Sequence, residues 1–296
     1  ALCAIGVFGW WLGRYGITSL PVMRRRGVNL EGLRGVPKVW LVAHLDTKRQ
    51  PISLLIRAAG VVVTLVAWLA IFAILAFLPN GARSHWIVAL GWIAAAGALP
   101  LVLSWVHHTG GGTGALDNAS GVATVLRAAT LACRDMPLGV LLTSAEELGM
   151  AGARGWLAQR ADGERGVAIN CDGVDDHGQL TCTIARDGGV LRSALALLAD
   201  GRMRNGPVRV RGSMPGVLFD SVAFAEAGWP AGTLSRGTLG SLARVHTRSD
   251  TLDRVGGVSV EETARVIAAL AGSIIAVECR GDTAAEEQQQ NGSTGD

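Results

Sequence analysis

The chain has 296 residues, enough for one large domain or two small ones around a substantial core. Hydrophobic residues make up 49% and charged residues only 17%, which strains a purely soluble reading. The net charge of +3 is too small to argue for nucleic acid, and five cysteines without CxxC or CxxH spacing exclude a disulfide framework and a thiolate zinc site.

The opening stretch, "ALCAIGVFGWWLG", runs only 13 residues to Arg14, too short to span a bilayer and without a basic n-region. Residues 1–22 are therefore read as an apolar segment, either the tail of a membrane helix cut at the start of the sequence, which lacks an initiating Met, or an interfacial helix. Next, "KVWLVAHLD" reads as a strand that runs straight into a His-x-Asp pair, His44 and Asp46. No acidic residue then follows until Asp117.

The gap holds two uncharged runs of 21 residues, Ala58 to Leu78 and Trp86 to Val106. Each is long enough to cross roughly 30 Å of hydrocarbon as a helix. A pair of buried core helices is the alternative. Two adjacent runs, with Trp86 and Trp105 near the ends of the second, weigh against it. The short connection "PNGARS" closes them into a hairpin over 54–106. Pro100 is tolerable inside a membrane helix, and "HHTGGGTG" reads as a flexible return strap.

Beyond the hairpin, strand and helix alternate. "LGVLLTSAEE", "GVAINCDG", "QLTCTIA" and "AGTLSRG" are short apolar strands, whereas "SGVATVLRAATLACRD", "GGVLRSALALLADGRM" and "SVEETARVIAALAGSIIAVE" have helical spacing. Ser259 and Glu262 have the spacing of a capping box. The alternation predicts an α/β fold, a three-layer sandwich around a mixed, largely parallel central sheet, interrupted by the two-helix hairpin. One domain comprises 27–48 and 107–281, and the polar residues 282–296 are expected to be disordered.

Chemistry collects where such strands end. His44 and Asp46 end one strand, Asp117 opens a helix in "GALDNASG", Glu146 and Glu147 end another strand, Asp172 ends "AINCD", and His246 lies in "RVHTRSDT". Taken singly, a strand-end His is usually structural, an Asp-Asn before a helix an N-cap, and a Glu pair a solvated turn. Together, hard carboxylate oxygens and imidazole nitrogens without thiolates suit a catalytic zinc or a similar divalent ion. Two carboxylates after a buried-looking strand are costly without a cation. Cys171, beside Asp172, reads as a packed strand residue and not a ligand.

The order H-x-D, G-A-x-D-N-x-S-G, E-E, a strand-end D and H-T-x-x-D-T resembles the di-zinc aminopeptidase family of metallopeptidases, clan MH. "LFDSVAFAEAGWPAG" is similar to a further family segment, and the likeness covers about Gly27 to Asp46 and Thr113 to Ile275. Ordinary soluble members lack the hairpin. The resemblance implies a zinc-exopeptidase-like fold and two zinc ions per chain. Asp117 would bridge them, with His44 and Asp172 on one ion and Glu147 and His246 on the other. Glu146 would be the general base, and Asp46 would orient His44 and fix its tautomer. The only tyrosine is Tyr15, far upstream, so an auxiliary tyrosine of the kind relatives use has no equivalent.

These readings imply a peptide substrate, a lipid bilayer as partner, and no nucleic acid. If His44 and Asp117 share a site, both ends of the hairpin lie on one side of a membrane. Arg14, Arg24, Arg25, Arg26, Lys48, Arg49 and Arg57 flank that side against Arg83 on the other. The asymmetry places the catalytic domain in the cytoplasm. An aminopeptidase anchored in the membrane is the leading reading. An amidohydrolase or glutaminyl-cyclase-like enzyme on the same fold stays open, as does a non-catalytic membrane scaffold.

Overall fold

The computed structural model describes residues 26–106, 113–161, 163–199, 208–213 and 217–292. The apolar stretch 1–22 and most of the Gly-rich strap lie outside them. The chain divides into two compact units. The first combines the described residues up to Asp46 with Ala115–Gly237 and Val255 onward, and the second comprises Thr47–Gly114 and Thr238–Arg254.

In the first unit the apolar runs form the sheet. Strands β1 (Leu30–Arg34), β2 (Val39–His44), β3 (Leu138–Thr143), β4 (Val167–Val174), β5 (Gln179–Arg186), β6 (Arg209–Gly212) and β7 (Ala231–Gly237) lie in the order β1-β3-β2-β4-β7-β5-β6. Pairs β3–β2, β2–β4, β4–β7 and β5–β6 are parallel, while β1–β3 and β5–β7 are antiparallel. The sheet is mixed and largely parallel, as expected. All six residues of β2 are buried, so its sequence is a continuous apolar run and not an alternation.

Helices cover both faces of the sheet. Val39, Leu41 and Ala43 pack in one core with α3 (Ser120–Leu131), α5 (Leu191–Ala199) and α8 (Gly257–Gly292). Trp40 and Val42 point the other way, into a core with α4 (Ala151–Leu157) and α6 (Asp220–Glu226). That second core is aromatic: Trp156 lies 4.6 Å from Trp40 and 6.0 Å from Trp229, ring centre to ring centre, at steep angles. Gly139, register partner of Trp40, leaves room for the indole, which any Cβ there would strike.

Two local expectations change. Helix α8 starts at Gly257, so Ser259 sits inside its first turn, and Glu262 pairs with Arg236 at 2.9 Å instead of closing a capping box. The helix also continues to Gly292, through residues expected to be disordered from 282. "DTAAEEQQQ" is polar but rich in Ala, Glu and Gln, which favour helix; 293–296 lie outside the described residues.

The second unit is built on α1 (Leu54–Phe77) and α2 (Asn80–Val106), which carries Pro100 in its interior. The two helices pack closely where small residues meet. A Cβ on Gly60 would collide with the Gly97 carbonyl, and Thr64 Oγ1 lies 3.3 Å from Ala94 O, across the pair. Only Gly60, Ala67 and Ile71 of α1 are buried, whereas Leu69, Phe72 and Phe77 are exposed. Helix α7 (Leu239–Arg244), capped by Thr238 and Ser241, packs against α1 and belongs to this unit. The segment Thr238–Arg254, expected within the domain 107–281, therefore groups with the hairpin.

Candidate metal centre

His44 ends β2 in parallel register with Thr143 of β3. Its ring is buried, and Nδ1 lies 2.9 Å from the backbone oxygen of Asp46. With Nδ1 donating there, Nε2 is the ring nitrogen left for an ion, 3.1 Å from Asp117 Oδ1 and 3.7 Å from Asp172 Oδ1. Ligand atoms of His44, Asp117 and Asp172 all lie within 4.8 Å of one another. Asp117 and Glu147 meet the same limit.

The contact that orients His44 runs through the Asp46 carbonyl oxygen. The Asp46 carboxylate stands 3.7 Å from the ring and accepts instead from the backbone N–H groups of Glu146, at 3.0 Å, and Glu147, at 3.1 Å. Burial alone would raise its pKa. His44 and these two N–H groups outweigh burial and keep Asp46 below the usual carboxylate value. Asp46 thus braces the turn that carries both glutamates.

That turn is sharper than a strand end. Strand β3 stops at Thr143, Ala145 is left-handed at φ 55°, and Glu146–Leu148 form one tight helical turn. Gly149 at φ 83° follows. Glu146 is buried and Glu147 half-buried.

The "DNASG" stretch is explained residue by residue. Asp117 (φ −122°, ψ 90°) and Asn118 leave helical geometry in the turn Ala115–Ala119, and the peptide between them is cis. Asn118 Nδ2 donates to Cys171 O at 2.9 Å, and its Oδ1 accepts from Gly121 N at 3.1 Å and Gly173 N at 3.2 Å. Ser120 Oγ donates to Leu116 O at 2.7 Å and accepts from Val174 N at 2.9 Å. A Cβ on Gly121 would strike both Asn118 and the Cys171 carbonyl. These bonds lock Asp117 to the end of β4, where Asp172 sits. Cys171 faces the core, and burial pushes its thiol far up.

The electrostatics call for a cation. Burial, the largest influence, lowers the His44 pKa, but Asp117, Asp172 and Asp46 more than reverse it and hold it well above the ordinary value. Burial raises Asp172, opposed by His44 and reinforced by Asp117 and Glu147. Burial also lifts Glu146 well above its usual range; His44 pulls back, while Asp172, Asp220 and Glu147 push further. Such crowding of acids in a low-dielectric site, with hard oxygen and nitrogen donors, fits a divalent ion.

Asp220 is the residue the sequence reading left out of the site. It opens α6 fully buried, its Oδ2 accepts from Thr143 Oγ1, and burial first of all pushes it up to about 6. In sequence it resembles an ordinary acidic residue in a helix first turn. Its setting between Leu218 and Phe219 on one side and Val222 and Phe224 on the other was the available signal of burial.

His246 belongs to the second unit. It follows α7 with φ 63°, its side chain is buried, and its carbonyl accepts from Gln50 N at 2.6 Å. Thr247 orders this turn, bonding Arg244 O at 2.6 Å and Ser249 N at 3.1 Å.

The sequence profile of Peptidase family M28 matches residues 100–271, more than half of the chain. The chain belongs to this family. Its fold is similar to that of LapA from Legionella pneumophila, with TM-score 0.54 and 16% identity over 83% of this chain and 56% of that one. It is also similar to BSAP, a zinc aminopeptidase from Bacillus subtilis, with TM-score 0.51 and 16% identity over 82% and 48%. The chain thus spans about half the length of these solved structures. No curated protein matches it in sequence.

Proposed function

We propose that this chain is a membrane-anchored metallo-aminopeptidase that holds two zinc ions. The observation that carries the reading is the buried convergence of His44, Asp117 and Asp172, with Nε2 of His44 left facing the carboxylates. Membership of family M28 and the fold shared with a zinc aminopeptidase and with the LapA aminopeptidase support it. In this reading His44 and Asp172 would hold one ion, Glu147 and His246 the other, and Asp117 would serve both.

When bound, such a pair lowers the pKa of a water molecule and polarises the scissile carbonyl. The residues of the chain do the rest. Glu146 takes a proton from the attacking water and passes it to the leaving amine. Asp46 holds the backbone of Glu146 and Glu147, so that one carboxylate handles protons while its neighbour binds metal. The Asp46 carbonyl oxygen keeps the proton of His44 on Nδ1.

The hairpin supplies the anchor. Leu54–Phe77 and Ser84–Leu103 are long and apolar enough to cross a bilayer, at about 36 Å for 24 residues. Most of the large side chains that α1 exposes are apolar, a face that lipid covers better than water. Lys48, Arg49 and Arg57 against Arg83 support a site on the cytoplasmic side.

Two variants test the chemistry. Glu146→Gln should abolish hydrolysis of an aminoacyl-anilide panel while elemental analysis still finds both ions, because it removes a base and not a ligand. Asp117→Ala should lose metal. Equal metal loss in both variants would overturn the division of roles.

A further inference from the structure

The hairpin carries more than an anchor. The backbone of His246, the histidine the proposed function gives to the second ion, is held from within its own unit. A residue with a Cβ in the left-handed region is strained and persists only where its surroundings impose it. Here the imposing contact is short: Gln50 N donates to the His246 carbonyl at 2.6 Å. Gln50 is buried, and its side-chain Oε1 accepts in turn from Arg57 Nη1. Arg57 stands in the first turn of α1, where Ser53 caps the helix by accepting from Ile56 N. Helix α7, which delivers the chain to His246, packs on the same α1.

We infer that Gln50 and Arg57 are positioning residues that tie the second metal ligand to the base of the membrane hairpin. The inference rests on the proposed function, in which His246 binds metal and α1 crosses the bilayer. The guanidinium of Arg57 sits where a spanning helix leaves the hydrocarbon, a place at which arginine holds its charge at the interface. Its bond fixes Gln50, and Gln50 fixes the backbone that aims the imidazole. Loss of the tie leaves His246 in the chain but releases its strained backbone, so affinity for one ion falls while the other is kept. Outer contacts of this kind are worth roughly 10–100-fold in metal affinity.

The test uses the full chain in lipid nanodiscs, stripped of metal and titrated with cobalt(II), with absorbance following each ion. His246→Ala identifies the step that His246 supports, and His44→Ala identifies the other. Arg57→Ala and Gln50→Leu should each weaken the His246 step by 10-fold or more and leave the His44 step within twofold, and Arg57→Lys should restore most of the loss. A parental titration by Arg57→Ala, or equal weakening of both steps, overturns the tie and leaves the aminopeptidase reading standing. Two intact steps in His246→Ala overturn the assignment of that ligand and the tie with it.

Discussion

Thr143 and Asp220 show how one carboxylate can be held back from its charge. Asp220 has no exposed surface, accepts from Thr143, and lies in the field of Asp172 and Asp46. Its pKa moves from 3.8 to about 6. The folded, metal-free protein therefore holds this proton more tightly than the unfolded chain does. The stability it contributes is complete below pH 3.8 and is lost as pH rises through about 6. Two pKa units correspond to about 3 kcal/mol. Asp220→Asn keeps an acceptor for Thr143 and cannot ionise. Its metal-free melting temperature should therefore fall less between pH 4 and pH 7 than the parent's. The same variant removes a negative neighbour of Glu146, so the acid limb of the pH–rate profile should move to lower pH. An unmoved limb would mean that the two acids do not feel each other. Asp46 runs with the opposite sign, because its pKa is lowered: its contribution is present above pH 3.8 and lost on acidification.

Elements differ in how plainly they are written in the sequence. Strands β2, β3, β4, β5 and β7 announce themselves as apolar runs, since each has neighbours on both sides. Strands β1 and β6 do not. Both are edges, and "LEGLR" and "RVRG" carry charge and glycine where a central strand carries valine and leucine. His44, Asp117 and Asp172 were legible as acids and imidazole at strand ends, whereas the tight turn of Glu146 and Glu147 was not, because Ala145 gives no sign of a positive φ. Asp220 was lost for a related reason: helix-terminal acids are common, and burial is not local information. Within the hairpin, Gly60 and Gly97 predict a measurable weakness. Gly97→Leu should force the two helices apart, since a Cβ there already meets Thr64 Oγ1 at 2.7 Å. The expected result is a melting transition several degrees lower for the detergent-solubilised chain, on the order of 2 kcal/mol or more. An unchanged transition would show that the close approach is not needed.

For the whole molecule, the testable quantity is sidedness. If the catalytic unit is cytoplasmic, the connection around Ala82 faces the opposite side of the membrane. A single cysteine at Ala82, in a chain with its native cysteines replaced, should react with an impermeant maleimide added from outside the cell. A cysteine at Lys48 should react only after the membrane is opened. The reverse pattern would place the peptidase outside.

The chain order of the first unit also sets a timetable. Strand β2 lies between β3 and β4 in the sheet, yet the whole hairpin is translated between β2 and either partner. Roughly ninety residues separate the end of β2 from the start of β3, about 5–20 s of synthesis at ordinary rates. Through that interval "VWLVAH" has no sheet to join, and a waiting apolar strand is an aggregation hazard. The hairpin is complete before Asp117, Glu146 or Asp172 has been made. On the proposed function, a nascent chain of this design reaches the bilayer before it can cut anything, and the ribosome delivers the anchor before the hydrolase.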